Sequence, residues 1–291
     1  MSVDTPTTAI AVGDLRRQVR AASLRAALRG LGKSLLVGLS TFAIVGAIWM
    51  GLVLFGDISS YILKSPLDVW EFLVTDPEAA ENRQVIVDLL AVTLRHAATG
   101  FIAGLAVAIV GAILFRINRG IESALMPFAT LLRSVPLIAM APIIILITGY
   151  GTEASVAVIG GIVVLFPALV TLAFGLKSAS PQMLDVISVY GGNTFTAVRK
   201  VALPGALPSL FAAIRISVPG AVTGALLAEM LSTGDGIGSA TARYAASARF
   251  TEVWACIVVV TVISLLIYTI VQVLESIALD RMGMNPDRKG A

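Results

Sequence analysis

The chain has 291 residues, of which 57% are hydrophobic and 13% are charged. Its mean hydropathy is +0.92. So little charge over this length excludes an ordinary soluble domain and indicates a polytopic membrane protein. The formal net charge of +3 would suit nucleic acid, but the basic residues stand at the ends of apolar runs, as membrane topology requires. Nucleic-acid binding is therefore not predicted.

Residues 1–34 are predicted to form a cytoplasmic tail. Leu15–Lys33 places basic side chains between leucine and alanine, a pattern typical of a helix lying on an anionic membrane surface. A signal peptide is the alternative, but the apolar run that follows is about 20 residues long and ends without a small-residue cleavage site, so it should remain as the first span. Gly32-Lys33-Ser34 resembles the end of a phosphate-binding loop, but Ala27 occupies the place of its first glycine, so no ATPase site is predicted.

Six apolar windows are long enough to cross a hydrocarbon core of about 30 Å, and the membrane requires each of them to be helical. They are Leu35–Phe55, His96–Phe115, Ser134–Ile147, Ala154–Leu176, Ser209–Leu231 and Val253–Leu279. Arg133, Pro136 and Pro142 interrupt the third window, so Ile121–Leu132 is interpreted as an interfacial helix that leads into a span beginning near Pro136. The prediction is an all-α membrane protein with six transmembrane helices over residues 35–279 and a cytoplasmic tail over residues 280–291.

The distribution of lysine and arginine predicts the orientation. Six spans put both termini on one side, and most basic residues then fall on that side, so both termini are predicted to be cytoplasmic. The outer segments are Gly56–Arg95 and Ser232–Thr251. In the first of them, Ser65–Phe72 has a serine cap followed by proline, which predicts a short helix on the outer surface. Cys256 lies inside an apolar run, so neither a disulfide nor a cysteine-based metal site is expected.

The segment 185–208, DVISVYGGNTFTAVRKVALPGALP, is a polar island on the cytoplasmic side. It predicts a helical hairpin: Asp185–Tyr190 forms a short helix, Gly191-Gly192 takes the positive φ of a sharp turn, and Thr194–Leu203 forms a second helix that Pro204 ends. The second helix has an apolar face, with Arg199 and Lys200 off it, formed by Phe195, Val198, Val201 and Ala202.

Several features of this island and its surroundings stand at fixed spacing. Asp185 is followed by glycine six positions later at Gly191, by the β-branched Val201 ten further on, and by Leu203-Pro204. This pattern resembles the EAA loop of ABC importer permease subunits. Other stretches that resemble the family are Leu132–Pro136, Ala206–Pro208, Ile214-Arg215, Ala228–Met230 and, for its nitrate, sulfonate and taurine branch, Ser65–Val69. The resemblance covers nearly the whole chain from Leu35 to Met282 and implies the MetI-like fold of a type I importer permease.

In that family the EAA loop forms a coupling helix that docks on a separate ATPase subunit. The resemblance implies that the coupling loop of this chain includes Asp185, Tyr190, Gly191, Gly192, Asn193, Phe195, Arg199, Val201, Leu203 and Pro204. Asp185-Val186-Ile187 replaces the usual Glu-Ala-Ala, so the packing against the partner is expected to differ. From spacing alone, a loop that packs only on this chain's own helix ends is the alternative.

The resemblance also implies the partners and the location. These are two P-loop ATPase subunits that carry ATP and Mg²⁺, a second permease copy or a close paralogue, and an extracytoplasmic substrate-binding protein, assembled in the plasma membrane of a bacterium. No cofactor is expected on the chain itself.

Three polar residues in or beside the spans have two interpretations each. Arg215 either reaches the cytoplasmic interface, which is favoured, or supports the loop, a role for which Arg133 is the other candidate. Glu229 is either an interfacial residue capped by the turn Ser232–Gly234 or part of a gate near the substrate entrance. His96 is interpreted as an interfacial anchor rather than a proton relay, because a relay needs acidic partners in the same plane.

Small residues recur along the spans. Gly100-x-x-x-Gly104 and Gly220-x-x-x-Gly224 are small-residue faces that allow helices to approach closely. In the resembling family the translocation path runs between two permease copies. The resemblance therefore adds four candidates for the path or its gate: Pro136, Gly220, Thr223 and Glu229.

The sequence thus predicts a transport subunit that is not an enzyme, because it contains no recognisable nucleophile with its base, no paired carboxylates and no metal-ligand cluster. A secondary transporter or channel that works without an ATPase is the alternative. That class needs a charged site in broken midplane helices, and no acidic residue lies at the centre of any window. The substrate implied by the resemblance is a small anion such as nitrate, a sulfonate or taurine, or a small organic nutrient.

Overall fold

The computed structural model describes residues 40–41 and 43–284, and of residues 132 and 133 only the backbone. Every regular element in this part of the chain is helical. The predicted basic helix Leu15–Lys33 and the chain beyond Met284 lie outside the described residues. The chain divides into two compact units, one ending at Asp68 and the other beginning at Val69.

The first unit contains the described part of the first predicted span, the apolar helix α1 (Ala43–Phe55). The indole Nε1 of Trp49 donates to the Lys64 carbonyl at 2.9 Å. A second helix, α2 (Pro66–Trp70), begins with a reciprocal cap. The Asp68 N–H donates to Ser65 Oγ at 3.2 Å and the Ser65 N–H donates to Asp68 Oδ2 at 2.7 Å, which confirms the predicted serine-capped start.

The second unit contains the long helices. They are α3 (Ala79–Ile117), α4 (Arg119–Ser134), α5 (Leu137–Thr148), α6 (Glu153–Lys177), α10 (Leu207–Ala228, continued by a π-helical turn, Glu229–Thr233) and α12 (Phe250–Arg281). Four of these, α3, α6, α10 with its extension, and α12, are long and apolar enough to cross a membrane, and they correspond to the second, fourth, fifth and sixth predicted spans. The helices α1 and α5 are shorter, so helix length does not by itself confirm the count of six.

Two segments predicted as outer loops contain helix. The helix α3 begins at Ala79 rather than near His96, because an apolar window detects only the part of a helix that suits a membrane. The second outer segment contains α11 (Gly236–Ala246). As predicted, a helix precedes the third span, and the break between α4 and α5 falls at Val135-Pro136.

The helices α3, α6 and α10 cross at glycines. A Cβ atom added at Gly100 would lie 2.8 Å from the Cα of Gly160, and one added at Gly224 would lie 2.8 Å from the same Cα. One turn along α3, a Cβ at Gly104 would lie 2.4 Å from the Gly161 carbonyl oxygen. The predicted small-residue faces are thus confirmed at these positions, and their missing side chains are what lets the three backbones touch.

Apolar clusters fill the bundle on either side of this crossing. At one end, the core includes Phe115 of α3, Leu172 and Leu176 of α6, and Ala213 of α10. We call this the loop end, because the segment between α6 and α10 joins the same core there through Ala202 and Ala206. At the opposite end, Ile144 of α5 packs with Val156 and Ile159 of α6. Within the described residues, the buried side chains of α12 are Ala255, Cys256 and Leu279.

Candidate coupling surface

The segment between α6 and α10 folds as a hairpin of helical pieces. Its first piece is α7 (Pro181–Val189). Its second piece runs without a break through α8 (Thr194–Ala197), a π-helical turn (Val198–Ala202) and α9 (Leu203–Gly205). The second piece is the anchor of the hairpin, because its buried side chains, Val198, Val201 and Ala202, pack on the bundle.

The first piece of the hairpin is not covered by the rest of the chain. The helix α7 has no buried residue. Its large apolar side chains and one from α8 form an exposed set that we call the hairpin face: Met183, Val186, Val189, Tyr190 and Phe195. Tyr190 is 86% exposed and Val189 82%. The hairpin lies beyond the charged end of α6 at Lys177, past the apolar span, so these side chains are available to a protein partner rather than to lipid tails.

The turn of the hairpin depends on two glycines for different reasons. Gly191 has φ +74°, a backbone conformation that side chains other than glycine rarely adopt. Gly192 does not have positive φ, so that part of the prediction is wrong; instead, a Cβ there would lie 2.5 Å from Ile187 Cγ2. Asn193 then caps α8, since its Oδ1 accepts from the Thr196 N–H at 2.9 Å.

The hairpin differs from the prediction in three further respects. The first helix begins at Pro181, four residues before Asp185, because proline is favoured in the first turn of a helix. Pro204 does not end the second helix, since the π-helical turn, in which the Leu203 N–H donates to the Val198 carbonyl, brings the chain past it. Phe195 does not share the buried face with Val201 but is 62% exposed.

Three charged residues of the hairpin remain available to a partner. Asp185, Arg199 and Lys200 are exposed, and no side-chain hydrogen bond or ion pair satisfies them within residues 43–284. By contrast, Lys177 at the end of α6 pairs with Glu122 of α4. An exposed apolar face with free charges beside it is the composition of a docking surface.

Replacing Gly192 with alanine is expected to displace α7 from α8, because the new Cβ would overlap Ile187 Cγ2 and lie 2.9 Å from the Ile187 carbonyl oxygen. Limited proteolysis of the purified protein should then cut the hairpin at least about threefold faster, as expected for a loss of about 1 kcal/mol in local stability. Gly205→Ala is the matched control, since a Cβ there meets nothing within 4 Å. Equal cleavage of the two variants would contradict this account of the turn.

Of the two predicted supports of the loop, the structure describes the side chain of Arg215. Arg215 does not extend freely to an interface; its Nε lies 3.3 Å from Glu275 Oε2 of α12, in an ion pair without hydrogen-bond geometry. The Glu275 side chain is 12% exposed and that of Arg215 is 30% exposed, so the pair is only partly shielded from water. The side chain of Arg133 lies outside the described part of the chain.

Two of the predicted path residues are exposed, and a third lies beside them. Pro136, at the start of α5, is exposed. On α10, a stripe at helical spacing is exposed and includes Thr223; its members are Ile216, Pro219, Thr223 and Met230. Gly220 borders this stripe, where it is half-buried against Val163. This stripe contains no charged side chain.

The fourth path residue, Glu229, is completely buried at the end of the bundle opposite the loop end. Its Oε2 accepts from Thr93 Oγ1 at 3.0 Å and from the Gly238 N–H at 2.8 Å, and its Oε1 lies 3.0 Å from Nδ1 of His96. His96 is itself 2% exposed and forms a buried pair with this carboxylate. We call Thr93, His96 and Glu229 the buried polar cluster.

The cluster caps the N-terminus of α11. The first turn of a helix has N–H groups without partners inside the helix, and two of them are satisfied here by side chains outside α11. The Ile237 N–H donates to Thr93 Oγ1 at 2.9 Å, and the Gly238 N–H donates to Glu229. Gly236, at φ +71°, leaves no room for a side chain, because a Cβ would lie 2.3 Å from the Glu229 Cδ.

These contacts overturn two predictions. His96 is not an interfacial anchor, because it is buried against an acidic partner. Glu229 is not an interfacial residue capped by the turn after it, because it is completely buried against Thr93, His96 and the Gly238 N–H. Its role in a gate stays a prediction. Ser232 of that turn contacts Ser155 instead, at 2.7 Å between the hydroxyl oxygens. Nothing in the sequence pointed to Thr93. The pair of His96 and Glu229 had a sequence signal, because each lies near the end of an apolar window and both ends were assigned to the same side of the membrane.

The described residues contain no group of three or more histidine, cysteine, aspartate or glutamate side chains that would hold a metal ion. The one close acid–histidine contact, in the buried polar cluster, is enclosed in the chain and holds helices together.

Comparison with known proteins matches residues 100–282 to the family described as the binding-protein-dependent transport system inner membrane component. A protein named as the aliphatic sulfonates transport permease SsuC of Bacillus subtilis is 26% identical over 238 residues, which cover 82% of this chain and 84% of that protein. The formylaminopyrimidine transport permease ThiX of Halalkalibacterium halodurans is 28% identical over 219 residues, 75% of this chain and 85% of that protein. A crystal structure described as an amino acid ABC transporter with histidines has a TM-score of 0.52 at 13% identity, over 69% of this chain and 96% of that chain.

A bundle with four apolar helices of membrane-spanning length defines a multi-pass membrane protein, and its exposed hairpin is a candidate surface for a partner. With the match over residues 100–282, the chain belongs to the family of binding-protein-dependent inner membrane components, the permease subunits of ABC importers. This confirms the resemblance seen in the hairpin sequence. A permease of this family is a transport subunit in the inner membrane and works with an ATPase and a substrate-binding partner.

Proposed function

We propose that the hairpin of residues 185–208 is the site at which this permease receives the motion of its ATPase. The observation that carries the proposal is the division of the hairpin into a buried anchor and an exposed face. Because Val198, Val201 and Ala202 are held in the bundle, a force applied at Val189 or Tyr190 is transmitted to α6 and α10 rather than lost in a mobile loop. Asp185 provides a free charge for the partner's surface.

The assembly proposed around this chain follows the family resemblance. Two ATPase subunits, which bind ATP and Mg²⁺, contact the hairpins of two permease copies, and both termini of each copy lie with the hairpins on the cytoplasmic side. The two copies are proposed to be identical, with the translocation path between them. The uncovered stripe on α10 with Thr223, together with Gly220 and Pro136, supports a path on that side of each copy. An extracytoplasmic binding protein would deliver the substrate to the opposite end.

The proposed substrate is a small anion, such as nitrate, a sulfonate or taurine, or a small organic nutrient. Two relatives support this range, since one is named for aliphatic sulfonates and the other for formylaminopyrimidine. The exposed stripe of α10 carries Thr223 as its one polar side chain, so it offers no cation to select an anion. We therefore place the selection of the substrate on the binding protein.

The test is to purify the tagged chain from its own host in mild detergent and to quantify the proteins that accompany it. A P-loop ATPase should be recovered in comparable amount and should be lost with Asp185→Arg or Gly191→Pro. Val189→Asp should weaken its binding at least about 30-fold, as expected for a charge placed at the centre of an interface. The matched control is Val74→Asp, an exposed valine beside α2, which should retain the ATPase.

The second candidate, a secondary transporter or channel, predicts the opposite result. The chain would then be recovered alone as a stable oligomer, and transport in vesicles would persist without ATP and be indifferent to the changes at Asp185, Val189 and Gly191. That outcome would remove the coupling role from the hairpin.

A further inference from the structure

A cavity of about 310 Å³ opens beside the anchor of the hairpin, at the loop end of the bundle. Apolar side chains from three helices form most of its wall: Ile109 and Ile113 of α3, Leu172 and Leu176 of α6, and Leu210 of α10. Arg199 is the one charged residue that lines it. The cavity is therefore apolar inside, and the guanidinium of Arg199 is its one charged lining group.

The cavity extends from the charged helix ends into the membrane-spanning part of the bundle. Ile109 lies seven residues before Arg116, the basic residue in the last turn of α3, which corresponds to about 10 Å along the helix. Leu172 lies five residues before Lys177, or about 7 Å along α6. Basic helix ends lie at the level of lipid headgroups, so the apolar wall lies at the level of the acyl chains.

The entrance of the cavity is positively charged. Arg199 is exposed and has no side-chain partner in the described part of the chain. Arg116 lies against the same wall, since its Nε donates to the carbonyl of Leu176 at 3.1 Å. Of the acids near this wall, Glu122 is already paired with Lys177. A ligand that fits both parts must join an anionic group to an aliphatic chain.

We propose that this cavity binds an anionic phospholipid of the surrounding bilayer, with its phosphate on Arg199 and part of one acyl chain between α3, α6 and α10. The volume lies at the lower end of the range of about 300–1,000 Å³ for ligand pockets, so it holds a segment of one chain rather than a whole lipid. Leu203 and Pro204 of the hairpin anchor also line the cavity, so a bound lipid packs directly against the anchor. The proposal does not rest on contact with an ATPase.

The test uses the full chain, purified with its accompanying subunits, stripped of lipid by detergent washing and titrated with phosphatidylglycerol or phosphatidylcholine. Native mass spectrometry counts the lipids retained. One phosphatidylglycerol per chain should bind saturably and more tightly than phosphatidylcholine. Arg199→Gln should weaken phosphatidylglycerol about fivefold and leave phosphatidylcholine unchanged, as expected for one basic residue at a membrane surface. Ile113→Trp, which fills the cavity, should abolish the saturable site for both lipids.

The matched control is Lys200→Gln, which removes a neighbouring exposed charge that does not line the cavity, and it should bind phosphatidylglycerol as the unchanged chain does. Equal binding by the Arg199, Lys200 and Ile113 variants would overturn the proposal, since the retained lipid would then be held elsewhere. Saturable binding that develops only after deletion of residues 1–34 would also overturn it, because the chain's own N-terminal segment would then be the occupant.

Discussion

Replacing Glu229 with leucine is expected to lower the free energy of unfolding by about 3 kcal/mol, which is the usual cost of removing one member of a buried charged or hydrogen-bonded group. The change leaves the Gly238 N–H without its acceptor and His96 Nδ1 without its partner in a site from which water is excluded. The apparent melting temperature in detergent should fall by about 5 °C. Hydrogen exchange should become faster in α11, whose first turn the carboxylate caps.

Two companion variants sharpen this test. Glu229→Gln keeps the size and one acceptor, so it should cost about 1 kcal/mol, the usual value of one hydrogen bond. Glu153→Leu is the matched control at the same end of the bundle; Glu153 is 61% exposed and lies 3.5 Å from Arg95, a surface pair expected to contribute less than about 1 kcal/mol. If Glu153→Leu and Glu229→Leu lowered the melting temperature equally, the buried polar cluster would not be holding α11.

Gly104→Ala is expected to cost about 3 kcal/mol, at the upper end of the usual range for an overfilled core, although it adds only one methyl group. The new Cβ would lie 2.4 Å from the Gly161 carbonyl oxygen and 2.8 Å from Val164 Cβ, and a backbone atom of α6 cannot rotate away as a flexible side chain can. The helices α3 and α6 must therefore separate. The yield of monodisperse protein should fall, and the apparent melting temperature should decrease by about 5 °C.

Gly111→Ala is the control on the same helix. A Cβ there would meet only Leu169 Cδ1, at 3.1 Å, and the end of a leucine side chain can move aside. We expect a loss of less than about 1 kcal/mol for this variant. Equal losses of stability for Gly104→Ala and Gly111→Ala would contradict this account. The cost would then come from the loss of glycine itself and not from the close approach of α6 to α3.

The class of protein and the position of the hairpin were predictable from the sequence, because both depend on local properties. Hydropathy over about 20 residues identifies a membrane helix whatever its neighbours are, and four of the predicted windows recur as helices of spanning length. The Gly191 turn and the Ser65 cap are also local, since each is decided by the φ angle or side chain of one residue. The boundaries of the helices were predicted less well, because a local property does not show where a helix ends. The helix α3 extends to Ala79 through residues that are not apolar, and the second piece of the hairpin continues past Pro204.

The partners of the polar residues were decided only by the tertiary structure. Glu229 contacts His96 and Thr93, which precede it by 133 and 136 residues, and Arg215 pairs with Glu275 sixty residues later. Which face of each helix meets its neighbour depends on how α3, α6 and α10 cross, and that crossing depends on where the glycines allow the backbones to touch. A residue's type and its distance from a membrane surface do not contain this information, so the sequence alone made Glu229 and His96 interfacial candidates. The crossing of the helices made them one buried pair.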